Sequence, residues 1–231
     1  MNRKRLPYIF LISVIFLGIG ILIYPHLRQI IYKDQAKKIN RYFEQEVKTA
    51  ALHNERQYTE LYNDMVSYNQ TIYSNNQEEL TDARIYENID FSMKDYGFAD
   101  ELFGYITIPA MDIELPIYLG ANKENLNIGA THLSKTSMSI GGENTNSVIA
   151  AHRGMATAEM FRDIEELKVD DRIFVTNLWE KLEYKVTRFQ IVSPNNREAI
   201  LIQDGKDMLT LVTCHPFRSN RQRYLVYCER V

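Results

Sequence analysis

The feature that most constrains this chain is an uncharged, apolar run near its N-terminus. Residues 7–24 read PYIFLISVIFLGIGILIY, with no acidic or basic side chain. As a helix rising about 1.5 Å per residue, this run is roughly 27 Å long, close to the thickness of a bilayer's hydrocarbon core. We therefore predict a transmembrane helix over residues 7–26. No second apolar run of this length follows, so the rest of the chain is expected in water.

The residues flanking the apolar run indicate whether it is cleaved and how it is oriented in the membrane. Arg3, Lys4 and Arg5 precede it, as in a signal sequence, and no small-x-small cleavage site follows it. This pattern predicts an uncleaved, single-pass signal anchor at the cell membrane, with residues 1–6 as a basic cytoplasmic tail and the remainder outside; a cleaved signal peptide is the alternative. The orientation rests partly on that tail, because basic residues also follow the run.

The charge distribution excludes one class of partner. Residues 1–33 hold five basic and no acidic side chains, so the remainder has 22 basic against 30 acidic side chains, a net charge of −8. Nucleic-acid binding requires clustered positive charge, and we expect no nucleic-acid partner. With 45% hydrophobic and 25% charged residues, the chain has the composition of a globular protein and not of a disordered one.

Between the anchor and the folded domain we predict a helical arm, residues 27–80. Residues 29–76 contain no Gly or Pro, and apolar side chains recur at near-helical spacing from Ile39 to Val66. We expect this stripe to pack against the domain or a partner helix rather than to form a separate binding surface. Residues 81–101 are polar and acidic, which predicts a linker or a lid-like loop over the domain.

From residue 102 onward the pattern changes to short apolar runs separated by polar turns, rich in Val, Ile, Thr, Tyr and Phe. A single stretch among them, residues 156–167, is predicted to be a short helix. Seven or eight strands predict a mostly β domain over 102–231, a barrel or sandwich with helices outside. The runs are 103–109, 113–118, 147–151, 172–176, 182–192, 208–214 and 223–228.

The two cysteines are predicted not to form a disulfide. If the last two strands form a hairpin with Cys214 opposite Arg223, then Cys228 lies opposite Leu209, five residues or about 16 Å along the strand from Cys214. A disulfide requires Cα atoms within about 7 Å. Cys228 is then a packed hydrophobic residue, and Cys214 is either a second one or a nucleophile.

A nucleophilic cysteine needs a proton-transfer partner and a group that holds developing negative charge. His152 ends an apolar strand, and Arg223 shares the face of Cys214 in the hairpin above. His215 is adjacent to Cys214 and is expected to point to the opposite face. His132 follows a Gly-Ala-Thr loop and is a second candidate for lining the site. Spacing alone does not show proximity, so this set is a hypothesis.

Residues 210–214, Thr-Leu-Val-Thr-Cys, stand nine residues before Arg223, and His152 lies well upstream of them. This arrangement resembles the Thr-Leu-x-Thr-Cys signature of sortases and the histidine that precedes it. The segments FGYITIP, LPIY, IGGENT and SVIAAHRG, within residues 103–154, are similar to those of class C, the pilus-assembling sortases. The resemblance covers residues 102–231, and the anchor and arm fit the layout of that class.

The resemblance implies an eight-stranded barrel and a cysteine transpeptidase that cleaves an LPxTG-like sorting motif after the threonine. Cys214 would form a thioacyl intermediate, and His152 would protonate the leaving amine and deprotonate the incoming one. Arg223 would orient the motif and stabilise the oxyanion, with the Thr213 hydroxyl near the same oxygen. No cofactor or metal is implied.

The partners implied by the resemblance are pilins or surface proteins with a C-terminal sorting motif, at the surface of a Gram-positive cell. The accepting amine would come from a pilin lysine, which gives pilus polymerisation, or from a peptidoglycan precursor, which gives wall anchoring. Two further alternatives are a cysteine peptidase that passes the acyl group to water, and a non-enzymatic surface-binding module. The last leaves the Cys214, His152 and Arg223 set unexplained.

A possible lid and the segment after the cysteine bear on the comparison with class C. Members of that class commonly carry a lid with an Asp-Pro-aromatic motif, whereas no Asp-Pro precedes Phe103 and Asp90-Phe91 lacks the proline. We therefore expect no lid of that type. The segment 215–222 after the cysteine is unusually basic. It is either a solvated loop or an altered loop that changes the choice of substrate or nucleophile.

Overall fold

The computed structural model describes residues 6–53, 55–80, 91–155 and 158–231. Two long N-terminal helices precede a β domain, and short 3-10 turns and one short helix connect its strands. The helices are α1 Leu6–His53, α2 Glu55–Ser74 and α3 Lys123–Ile128. The strands are β1 Leu102–Ile108, β2 Ile113–Leu119, β3 Ala130–His132, β4 Thr145–Ala150, β5 Arg172–Thr176, β6 Lys181–Val192, β7 Asp207–His215 and β8 Gln222–Arg230.

The strands close into one barrel in the order β1-β2-β3-β4-β7-β8-β6-β5. The pairs β2–β3 and β4–β7 are parallel, and the other pairs are antiparallel. This confirms the predicted mostly β, eight-stranded barrel. Seven of the strands fall on the predicted apolar runs, and β3 is the addition. It has only three residues, too few for a periodic pattern to mark it.

The helix predicted over 156–167 is not present in the described part of that segment, which consists of turns and a 3-10 turn, Ile164–Glu166. The apolar residues of this segment pack into the barrel core, where Phe161 and Ile164 are fully buried. Met160 has a φ of 47°, in the left-handed region, which is incompatible with a continuing right-handed helix. The spacing of apolar residues therefore reflected burial of a folded-back loop and not an amphipathic helix.

Helix α1 runs without interruption from the apolar segment into the arm, through Pro25. Its apolar N-terminal half is long enough to cross a membrane and packs against nothing in the described part of the protein; Phe16, for example, is 70% exposed. A core helix of comparable hydropathy would be buried. The exposure is therefore compatible with a single-pass membrane anchor.

The second half of α1 and helix α2 are docked on the barrel, as predicted for the apolar stripe of the arm. Phe43, Leu61 and Met65 are buried in one cluster with Leu102 and Phe103 at the start of β1. This cluster removes large side chains of both helices from water, at about 25 cal/mol per Å² of apolar surface. The arm is thus part of the domain's hydrophobic core.

Polar contacts continue this docking toward the apolar segment. Lys33 forms ion pairs with Asp112 at 3.2 Å and Glu159 at 2.9 Å. The Tyr32 hydroxyl donates to the Ile128 carbonyl at 3.1 Å, and burial raises the pKa of Tyr32. Tyr32 lies eight residues beyond the end of the apolar run, about 12 Å along a helix. The barrel is therefore docked on α1 shortly after its apolar segment ends.

Of the predicted linker, residues 91–101 pack on the domain. The Glu101 carboxylate accepts hydrogen bonds from the Ser92 hydroxyl at 2.7 Å and the Met93 amide at 2.8 Å, and Phe91 stacks on Tyr96 with ring centroids 5.5 Å apart. Residues 81–90, including Asp90 of the lid comparison, lie outside the described residues, so the expected lack of a lid stays a prediction.

Candidate active site

Three neighbouring strands of the barrel bring the sequence-predicted residues together. In the parallel pair β4–β7, Ala150 lies beside Val212, so His152 and Cys214 each follow two residues later at the same end of the sheet. On the other side of β7, Arg223 of β8 lies directly opposite Cys214. Because adjacent strands are about 4.8 Å apart, a histidine, a cysteine and an arginine meet at one edge of the barrel.

The predicted hairpin register is confirmed, and with it the absence of a disulfide between the two cysteines. Cys228 pairs with Leu209, far along the strand from Cys214, and both thiols are free. Cys228 is fully buried in the barrel core, and burial raises the pKa of its thiol. A thiol in that setting stays protonated and unreactive, whereas Cys214 is only half-buried.

Cys214 opens into a groove of about 230 Å³. His152, Thr213 and Arg223 line the same groove, and Ser193 and Asn196 are further polar residues of its lining. The remaining walls are mostly apolar and come from Ala121, Leu126, Leu133, Ala150, Val192, Pro194, Ile200, Val212 and Leu225, among others. The thiol therefore lies in a groove with mostly apolar walls, the usual character of a ligand site with a few polar groups.

His152 is half-buried, and desolvation by its surroundings lowers its pKa below the usual value of 6.5. Its imidazole is therefore predominantly neutral at pH 7. Among the described residues, no group forms a hydrogen bond with its ring. The ring nitrogens are thus available to exchange a proton with Cys214 or with an amine bound in the groove.

Arg223 is anchored by its own turn. Its Nη1 group donates to the carbonyls of Asn220 and Gln222, each at 3.0 Å. Nε and Nη2 have no hydrogen-bond acceptor within the described part of the chain. A guanidinium held in this way offers N–H donors of fixed direction to a carbonyl or oxyanion beside Cys214.

The two supporting candidates have other tasks than expected. The Thr213 hydroxyl donates its proton to the Ala151 carbonyl at 2.7 Å, so it ties β7 to the segment before His152 instead of donating to an oxyanion. His132 is buried at 2% exposure, with Nε2 at 2.9 Å from the Ser137 carbonyl. It does not line the groove; its neighbour Leu133 does, because successive residues of an extended segment point to opposite sides.

His215 points away from the groove, as expected from strand alternation. Its Nδ1 lies 3.0 Å from Nη1 of Arg153 and 3.1 Å from a carboxylate oxygen of Glu165. Arg153 is a residue that the sequence analysis left without a role. Its position directly after a candidate acid–base histidine was the available signal.

The basic segment after Cys214 is exposed where it extends beyond the groove. Phe217 is 45% exposed, and the Arg218 guanidinium lies 5.4 Å from its ring centroid. Arg218 and Arg221 are exposed, and neither has an acidic partner within the described part of the chain. Solvation of these side chains fits the first of the two alternatives, and a role in choosing the substrate stays a prediction.

No metal site is visible at this groove or elsewhere in the described ranges: no three His, Cys, Asp or Glu side chains there are grouped as metal ligands. The reactive groups that the groove presents are the thiol of Cys214, the imidazole of His152 and the guanidinium of Arg223.

Comparison with known proteins agrees with this arrangement. The sortase domain family matches residues 106–231, more than half of the chain. The chain is 30% identical to sortase A of Bacillus anthracis over 156 residues, which are 67% of this chain and 72% of that protein.

Solved structures of class C sortases are also similar. Sortase C of Streptococcus pneumoniae has a TM-score of 0.74 and 33% identity, covering 84% of this chain and 96% of that one. Sortase C of Clostridium perfringens has a TM-score of 0.69 and 29% identity, covering 84% and 98%. The barrel, the matched residues and these relatives lead to one conclusion: the chain belongs to the sortase family of cysteine transpeptidases, and its structural relatives are class C sortases.

Proposed function

We propose that this sortase is anchored in the cell membrane with its barrel outside, cleaves an LPxTG-like sorting motif and joins the new carboxyl end to a pilin lysine. The observation that carries the proposal is the meeting of Cys214, His152 and Arg223 on one apolar groove. The choice of a pilin is supported by the likeness to sortase C of Streptococcus pneumoniae, a protein studied for its pilin substrate specificity.

In the first half of the reaction, the Cys214 thiolate attacks the carbonyl carbon of the motif's threonine. The carbonyl oxygen becomes an oxyanion, to which the unpaired N–H groups of Arg223 donate. The bond to the glycine nitrogen then breaks, and protonated His152 gives its proton to that nitrogen. The products are a thioester on Cys214, a free glycine amine and a neutral His152.

In the second half, neutral His152 accepts a proton from the lysine amine as it attacks the thioester carbon. The C–S bond breaks, the electron pair returns to Cys214 as a thiolate, and an amide joins the two proteins. Thiolate and imidazolium are thereby regenerated, so protons and electrons balance over the cycle. Because burial lowers the pKa of His152, its protonated form is a minority species at neutral pH.

The lining of the groove supports a peptide with apolar side chains. Leu126, Val192 and Leu225 form part of its wall, and leucine and proline of the sorting motif are apolar residues that such a wall can contact. Burying each large aliphatic side chain contributes about 1.5–3 kcal/mol to binding before ordering costs.

Membrane anchoring is supported by helix α1. Its apolar half is exposed, and its other half is docked on the barrel from Tyr32 onward. A lipid-inserted α1 would hold the groove near the membrane surface, where a secreted precursor still attached to the membrane would present its C-terminal motif.

The test is a reconstitution of the full chain in detergent or nanodiscs with a pilin subunit that carries a C-terminal sorting motif. A ladder of covalent multimers on a denaturing gel, absent with Cys214→Ala, is the expected result. Cleaved monomers that are capped only when a small amine is added would favour wall anchoring, and cleavage with water as the sole acceptor would favour a hydrolase. A ladder that persists in Cys214→Ala would overturn the proposed chemistry.

A further inference from the structure

The relative position of His152 and Cys214 is not set by a bond between them. Among the described residues, no hydrogen bond joins the Cys214 sulfur and the His152 ring. The backbone ladder between β4 and β7 also ends early: β4 stops at Ala150, and the following bond, from the Ala151 amide to the Val212 carbonyl at 3.2 Å, precedes His152. Something else must hold this pair in register.

Two side chains continue the ladder beyond the end of β4. On one side of His152, the Thr213 hydroxyl donates to the Ala151 carbonyl at 2.7 Å. On the other side, Nη1 of Arg153 reaches back to the Cys214 carbonyl at 3.5 Å. The residues immediately before and after His152 are thereby joined to β7, at Thr213 and Cys214 respectively.

Arg153 is suited to this task because its guanidinium is held by contacts in several directions. Nη2 forms an ion pair with Glu165 at 2.5 Å, Nη1 lies 3.0 Å from Nδ1 of His215, and Nε donates to the Arg162 carbonyl at 3.3 Å. Its guanidinium carbon also lies 5.7 Å from the ring centroid of Tyr224. The residue is only 7% exposed.

These contacts distinguish a geometric role from an electrostatic one. The Glu165 carboxylate at 2.5 Å offsets the guanidinium charge, which reduces its influence on the charge of the Cys214 thiol. The planar guanidinium of Arg153, however, contacts four residues at once, which are Cys214, His215, Glu165 and Arg162. A lysine ammonium is a single point charge and cannot reproduce this pattern.

We propose that Arg153 is a positioning residue: it fixes the His152 segment against the Cys214 end of β7, so that the imidazole and the thiol stay within proton-transfer reach. The inference rests on the proposed function, in which these two side chains react. A misplacement of about 1 Å in such a pair lowers a rate by roughly 100-fold, even when the altered residue never touches the substrate.

The test compares Arg153→Met and Arg153→Lys with Arg172→Met in the full chain. Arg172 also pairs with a glutamate, Glu183 at 2.9 Å, but it lies on β5, which is not adjacent to β4, β7 or β8. Two measurements are made: kcat and KM for a sorting-motif peptide with an amine acceptor, and the rate of Cys214 alkylation by iodoacetamide as a function of pH. Melting curves report on the fold.

For Arg153→Met we expect a kcat about 10- to 100-fold lower, with KM changed by less than about threefold, because orientation is lost and the groove is not. In the parent protein, the rate of Cys214 alkylation should show a step in its pH dependence, at the pH where the nearby His152 titrates. That step should weaken in Arg153→Met and be retained in Arg172→Met. Arg153→Lys should restore less than half of the lost activity.

A folded Arg153→Met protein with the parent's kcat and alkylation profile would overturn the inference. If Arg153→Met does not fold, Arg153→Lys decides: a folded lysine variant with the parent's kcat overturns it, and a reduced kcat with unchanged KM supports it. The alkylation profile does not depend on the substrate. If the parent protein fails to process the peptide, the proposed function fails. The alkylation profiles of the variants still test the role of Arg153.

Discussion

Cys214 and Arg223 face each other across the β7–β8 hairpin, as a directly opposed pair. Directly opposed residues of an antiparallel pair have side chains on the same face, about 5 Å apart at Cβ. The segment between them, residues 215–222, also supplies the carbonyls that hold Nη1 of Arg223. One hairpin therefore carries both the candidate nucleophile and the candidate oxyanion donor.

The two cysteines should respond to alanine in opposite ways. Cys214→Ala should abolish transpeptidation and change the free energy of unfolding by less than about 0.5 kcal/mol, because the side chain is half-buried at a strand end. Cys228→Ala should keep most of the activity and lose about 1–2 kcal/mol of stability, because it opens a small cavity in the core. Peptide turnover and urea denaturation measure both. Turnover by Cys214→Ala would refute its role as the nucleophile.

Arg223→Lys should lower kcat about 10- to 100-fold, since an ammonium cannot remain on the Asn220 and Gln222 carbonyls and also direct a second donor into the groove. Steady-state kinetics with a sorting-motif peptide give the measurement. Arg172→Lys, an exposed arginine on β5, is the matched control and should be unaffected. Equal rates for Arg223→Lys and the parent protein would rule out the role of Arg223 as oxyanion donor.

His152 should titrate below pH 6.5 in the folded protein, because burial disfavours its charged form. The folded state then binds fewer protons at this site than the unfolded state. Its contribution to stability is fully present above the unfolded pKa of about 6.5 and is lost as the pH falls through the lower folded pKa. NMR titration of the imidazole in Cys214→Ala, and melting temperatures of the parent protein and His152→Gln on both sides of that pKa, test this. A folded-state pKa above the unfolded value would contradict it.

The docking of the arm can be tested with two adjacent aromatic residues of α1. Phe43 is 3% exposed and packs edge-on against Tyr105 with ring centroids 6.4 Å apart, whereas Tyr42 is 56% exposed. Phe43→Ala should cost about 3–4 kcal/mol of unfolding free energy, and Tyr42→Ala less than about 1 kcal/mol. Chemical denaturation and limited proteolysis of the full chain report the difference. Similar losses in the two variants would mean that the arm is not part of the core.

Predictions that depend on nearby residues could be made from the sequence. The length and apolarity of residues 7–24 predict a membrane-spanning helix, because bilayer thickness and helical rise are constants. Once the hairpin from 208 to 228 was supposed to pair Cys214 with Arg223, counting along its two strands placed Cys228 opposite Leu209, and the structure has both pairs. The exclusion of a disulfide required only that register and strand geometry.

Features that depend on distant parts of the chain could not be predicted from local patterns. The proximity of His152 to Cys214 comes from the parallel pairing of β4 with β7, two strands with β5 and β6 between them in the sequence, and no local pattern encodes that pairing. The same is true of β3, which is stabilised by its neighbours, and of residues 158–167, whose apolar side chains fill the barrel core without forming a helix.

The sequence by itself thus determined the apolar N-terminal helix, seven of the eight strands and the chemical identity of Cys214, His152 and Arg223, because these depend on hydropathy, short-range periodicity and side-chain type. Tertiary structure alone decided that His152 and not His132 lines the groove, that Thr213 bonds to Ala151, and that Arg153 joins the two reacting segments. The physical reason is that barrel closure sets which strand ends meet, and only then do side-chain donors acquire their acceptors.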